Sequence, residues 1–258
     1  MSKSINGVCH ICGEVKKLTY EHIPPRAARN STRTKSYDCI AMARVGRLEL
    51  KDVEGFYGNI QQQGAGAYTL CADCNSYTGS HYAEHYSHAI IAAHRLFQSF
   101  SDTQGNVISF EGKGLKVLAF FKQIIAMFCS IRPAGDMADC KDFLLNKNCK
   151  NFNHEKYRVT MVAIRDAQSN AWQSNGETRI FNEHGNIRQD FSAFLCYPLG
   201  FLLYVYGDPG VQRHGANITW MTDFNYDETP HFGVSIPCVD TQHIFPSFLR
   251  EDSTSSSK

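Results

Sequence analysis

No stretch of this 258-residue chain approaches the ~20 consecutive apolar residues of a membrane-spanning helix, and no basic, apolar, small-residue leader opens it. These absences lead us to expect a cytoplasmic protein without a membrane partner, in which ten cysteines serve as thiols or metal ligands rather than disulfides. A surplus of one charge sign is missing too, because 26 Lys and Arg face 25 Asp and Glu for a formal net charge of +1. No global field can then hold a polyanion, so any nucleic-acid surface must be local. Internal repeats are absent, and the second half lacks any phosphate-loop, metal or nucleophile motif. Hydrophobic residues make up 43% of the chain, enough for the core of one large or two small domains.

What is present is concentrated near the start. Cys9-His-Ile-Cys12 and Cys71-Ala-Asp-Cys74 are two C-x-x-C pairs 59 positions apart, Cys12 to Cys71. Each pair sets two thiolates on one tight turn, and two such turns complete a closed tetrahedral zinc site. Cys39, Cys129, Cys140, Cys149, Cys196 and Cys238 lack pair spacing and read as ordinary thiols. Between the pairs lies Glu21-His22-Ile23-Pro24-Pro25, where a carboxylate beside an imidazole can supply a hard-metal ligand and a general base together. Around it, from Lys16 to Arg47, eight cations including Arg26, Arg29, Arg33 and Lys35 outnumber Glu21 and Asp38, a local surplus suited to phosphate.

In this order of residues the chain resembles the four-cysteine branch of the HNH (ββα-metal) nucleases. That pattern runs C-x-x-C, an acidic residue and His closing the first strand, then C-x-x-C followed directly by His or Asn on a helix. The matching positions are Cys9, Cys12, Glu21, His22, Cys71, Cys74 and Asn75, and the resemblance covers about the first hundred residues. It implies structural Zn²⁺ on the four cysteines, a catalytic Mg²⁺ or Mn²⁺ held by Glu21 and Asn75, and His22 activating water to hydrolyse phosphodiester bonds in DNA, or less readily RNA. Bacterial defence and mobile elements are the contexts it suggests. The family's usual Asp is Glu21 here, and its middle Asn is unassigned, since Asn59 lies 12 residues before Cys71. The alternative is a non-catalytic zinc module that binds nucleic acid or a protein partner.

The expected fold class is α+β. Residues 1–100 form the zinc-stapled HNH domain, 101–250 an α+β domain that serves recognition, homodimerisation or partner binding, and 251–258 a Ser-rich disordered tail. Residues 1–8 read as a mobile leader and Val15–Ile23 as a strand ended by two prolines, with Leu18, Tyr20 and His22 on one face and Glu21 on the other. A helix is expected from Cys74 to Phe100, with Ile90, Ala93, Phe97 and Phe100 as its core stripe and His81, His85, His88 and His94 on an exposed polar face. Leu115–Ile131 is apolar nearly all round and must be a buried helix, with a second helix over Met137–Asn146. Strands follow at 157–164, 178–181, 191–197, 201–206, 218–224 and 232–236, forming an antiparallel sheet, with turns at Asn175-Gly176, His184-Gly185-Asn186 and Asp208-Pro209-Gly210.

Overall fold

The computed structural model describes residues 5–31, 33–36, 44–45, 59–62, 64–98, 106–164, 173–181, 183–185, 187–207 and 214–239. The expected tail, the turn at 208–210 and most of the 37–58 segment lie outside the described residues. Among those described, no helix is long and apolar enough to cross a membrane.

The chain begins with β1 (Ile5–Val8), which pairs antiparallel with β2 (Val15–His22) from Ile5 opposite Leu18 to Val8 opposite Val15. Residues 5–8 are therefore strand rather than leader, and the first C-x-x-C pair is the turn of this hairpin. Gly13 takes φ 77 there, the left-handed conformation that lets so tight a turn return to the ladder. A short ribbon, β3 (Thr34–Ser36) and β4 (Asn59–Gln61), precedes β5 (Gly66–Cys71), which adds to the far edge of β2. Straight from Cys71 the chain enters α1 (Ala72–Thr78), passes a π-helical turn at Gly79–Ala83, and continues as α2 (Glu84–Gln98). The helix does run through Gly79 as expected. His94, however, is buried with its ring 5.4 Å from that of Tyr197, His81 and His85 are half-buried, and of the four histidines only His88 is exposed.

After β6 (Val107–Gly112) comes α3 (Val117–Ile131), in which every side chain from Val117 to Ser130 is buried. A helix apolar on all sides is stable only when wrapped on all sides. Its wrapping includes α2, α4 (Lys141–Leu145), the hairpin strand β5 and the large sheet. Even Lys122 is enclosed: its Nζ donates to the carbonyls of Phe143 (2.6 Å) and Asn146 (2.7 Å) at the end of α4, and burial pulls its pKa down to about 8. At the end of α3, Arg132 forms a bidentate pair with Asp190 at 2.7 and 2.8 Å, fastening the helix to the sheet.

The large sheet runs β6-β12-β7-β10-β9-β8, from β7 (Tyr157–Ile164), β8 (Gln173–Phe181), β9 (Ile187–Cys196), β10 (Leu199–Gly207) and β12 (Phe232–Val239), with β11 (Ala216–Asn217) on β7. It is mixed rather than antiparallel, because β12 joins β7 in parallel through Cys238 and Val239. Two local expectations fail. Residues 219–223 form a 3₁₀ turn rather than a strand, nucleated by Asn217 Oδ1 accepting from the Thr219 amide at 3.0 Å and buried at Ile218, Met221 and Thr222. Asn175-Gly176 is no turn either; both residues lie inside β8, paired with Phe194 and Ala193 of β9. One core cluster joins the hairpin residues Cys9, Ile11, Leu70 and Cys74 to Phe121, Ile125 and Phe128 of α3 and to Phe201 of the sheet.

Candidate functional site

The four paired cysteines converge. Their sulfurs lie within 4.8 Å of one another, and Cys12 Sγ to Cys71 Sγ is 3.9 Å. A tetrahedral metal with bonds of ~2.3 Å requires sulfurs about 3.8 Å apart, so the donor set fits an ion such as zinc. The peptide N–H of Cys71 also donates to Cys9 Sγ at 3.3 Å, as expected of a thiolate acceptor. Crowding splits the thiols: hydrogen bonding from the Cys74 thiol and nearby backbone amides pulls Cys9 down to about 4, whereas the proximity of Cys9 and burial push Cys74 upward. All four become thiolates together only if a cation shares the space.

Next to this cluster the hairpin presents the Glu-His pair. On β2, Thr19 Oγ1 accepts from Asn75 Nδ2 at 2.9 Å, and Nδ2 also reaches the Tyr20 carbonyl at 3.4 Å. The side chain of Asn75 is thus clasped to the helix-facing side of the strand with its nitrogen committed, leaving Oδ1 as the atom that can face a ligand. Strand alternation puts Glu21 on the side of Thr19. Glu21 is 5% exposed, and burial alone raises its carboxyl from 4.5 to about 7. Among the described residues no hydrogen bond or ion pair reaches that carboxylate. Burial disfavours the charged form, so this carboxyl holds its proton to higher pH than an exposed one would. His22, the last residue of β2, lies on the other pleat, its ring 5.1 Å from that of Tyr20. By alternation along β2, Glu21 would share the Asn75-facing side with Thr19, and His22 the other side with Tyr20, whose ring it meets.

Three features position this end of the hairpin, and none was read from the sequence. Asn30, 6% exposed, donates from Nδ2 to the Pro24 and Ala65 carbonyls and accepts the Ala65 amide at Oδ1, all at 2.7 Å. It ties the segment leaving β2 to the segment entering β5, a clamp across the open end of the hairpin. The register of β5 skips Thr69, since Thr19 faces Leu70 while Tyr20 faces Tyr68; such a bulge re-aims side chains beside functional sites. Gly66 sits opposite His22, and a Cβ there would run into the Glu21 carbonyl and the Tyr20 ring. A polar residue eight positions past His22 and glycines flanking Ala65 were the available signals. Of the cations, Arg26, Arg29 and Arg33 are exposed, the first two on the turn just after the double proline, and Lys35 lies in β3 opposite Ile60. No protein-family model, no curated protein and no solved structure matches this chain.

Proposed function

We propose that the chain is an HNH-type, metal-dependent endonuclease that hydrolyses phosphodiester bonds in DNA. The observation that carries this reading is the buried Glu21 on the strand to which Asn75 is hydrogen-bonded, in a hairpin-helix unit where four cysteines converge. Zn²⁺ on Cys9, Cys12, Cys71 and Cys74 would hold strand and helix in register, since so small a unit has little core of its own. Glu21 and the Asn75 Oδ1 would hold Mg²⁺ or Mn²⁺, which when bound neutralises charge developing on the phosphate. His22 takes the proton of the attacking water, from a strand end fixed by the Asn30 clamp. Arg26, Arg29 and Arg33 supply the cations that meet the backbone phosphates.

The second reading, a zinc module that binds nucleic acid without cutting it, is favoured by the packing of His22 against Tyr20 on the pleat opposite Glu21. Plasmid nicking with Mg²⁺ or Mn²⁺ separates the two. Wild type should cut, and His22→Ala should cut about 10²–10⁴-fold more slowly with unchanged zinc content and melting temperature. Equal rates for the two proteins would refute the catalytic assignment.

A further inference from the structure

The face of the hairpin turned away from α1 carries a row of rings. Tyr68 packs edge-on against Tyr20 with centroids 5.4 Å apart, and Tyr20 packs edge-on against His22 at 5.1 Å. Tyr20 is fixed in place, because its hydroxyl donates to the Gly64 carbonyl at 3.0 Å and lies 3.4 Å from Gln61 Oε1. Tyr68 differs from its neighbours in being open to water, at 36% exposure. In a regular strand Tyr68 and Leu70 would share a face; the extra residue Thr69 breaks that phase, so that Leu70 is fully buried and Tyr68 points outward. The backbone irregularity thus serves to present a ring at the surface, at the near end of a row that ends on His22. Exposed Arg26 and Arg29 stand on the turn that Asn30 ties to Ala65, three residues before Tyr68.

We propose that this row is a stacking platform for unpaired nucleobases, so that the hairpin takes single-stranded nucleic acid in preference to duplex. The inference rests on the nucleic-acid reading above and names its substrate class. An aromatic ring stacks on a base only when the base has a free face, which duplex interiors deny and single strands offer at every nucleotide. Duplex binding would instead lean on phosphate neutralisation, which gains nothing from an exposed ring. Single-stranded DNA and single-stranded RNA share the stacking chemistry, and the experiment distinguishes them.

The test is fluorescence anisotropy without added divalent ions, using one labelled sequence of about 15 nucleotides as single-stranded DNA, single-stranded RNA and duplex DNA. Wild type should bind one single strand at least about tenfold tighter than duplex, and the tighter strand identifies the sugar. Tyr68→Ala should weaken that binding about 5- to 100-fold, the usual worth of one stacked base. Its salt dependence should stay as in wild type, since no cation is lost. Tyr68→Phe should stay within about twofold of wild type, and Tyr68→Leu, which keeps an apolar side chain but no ring, should fail as the alanine variant does. Duplex binding as tight as single-strand binding, or wild-type affinity in Tyr68→Leu, would overturn the proposal. Because no cleavage is involved, a protein that binds single strands through Tyr68 but never nicks plasmid would sink the nuclease reading alone. One that nicks through His22 yet ignores Tyr68 would sink the stacking proposal alone.

Discussion

Replacing Glu21 with Gln tests whether its carboxylate is kept for a cation. A carboxyl moved from 4.5 to about 7 by burial makes the ionised folded protein less stable by about 3 kcal/mol. The folded chain holds this proton to higher pH than the unfolded chain, so folding takes up a proton between pH 4.5 and 7. The effect of Glu21 on stability is therefore neutral below about 4.5, grows unfavourable as pH rises toward 7, and is constant above it. Gln fills nearly the same space without the charge. At pH 8, with no divalent ion added, Glu21→Gln should be the more stable protein by about 3 kcal/mol, which for this size is roughly 6–12 °C in melting temperature. The two proteins should converge as pH falls toward 4.5. Adding Mn²⁺ should then raise the melting temperature of wild type and leave the variant unmoved, while the variant loses cleavage. Parallel melting curves across pH 4.5–8, or a variant less stable at pH 8, would show that the carboxylate is already compensated and would refute the cation argument.

Cys74→Ser should lose the bound metal and the hairpin's structure together, read by zinc quantification beside circular dichroism, whereas His22→Ala keeps both. Asn30→Ala strands the Ala65 amide and two carbonyls, so denaturant unfolding should show a loss on the order of 2–4 kcal/mol; its zinc content should match wild type, and a variant as stable as wild type would show that water replaces the clamp. Above neutral pH, Lys122→Met should abolish a rise in wild-type stability between pH 8 and 10.5, where the unfolded chain binds the lysine proton and the folded chain does not.

Residues whose meaning is local were legible. The spacing of Cys9, Cys12, Cys71 and Cys74 alone foretold that the sulfurs would meet, because two short turns leave a metal few other geometries. The unbroken apolar run of α3 foretold its burial, and the rings of Tyr20 and His22 meet as strand alternation requires. What escaped depends on partners distant in sequence. Asn30 looks like a loop residue until Ala65, 35 positions away, comes to meet it. The skip at Thr69 exists only relative to β2, and Asn175-Gly176, a turn signal in isolation, is overruled by the ladder with β9. The apolar residues of 218–224 satisfy a 3₁₀ turn as well as a strand, and Asn217 decides between them.

Cys9 and Cys12 enclose His10, whose Nδ1 donates to the carbonyl of Cys129 in the last turns of α3 at 2.9 Å. From the helical segment that follows the hairpin, the hydroxyl of Tyr82 reaches the Leu144 carbonyl at 2.7 Å, and Tyr86 stacks on Phe120. A cassette that is shuffled between proteins needs a finished surface on every side, and this hairpin has none beneath it. Its underside is the roof over someone else's core. Cutting the chain near residue 100 would open the interior of both pieces, and the protein should melt in one transition that chelation of any bound metal lowers as a whole.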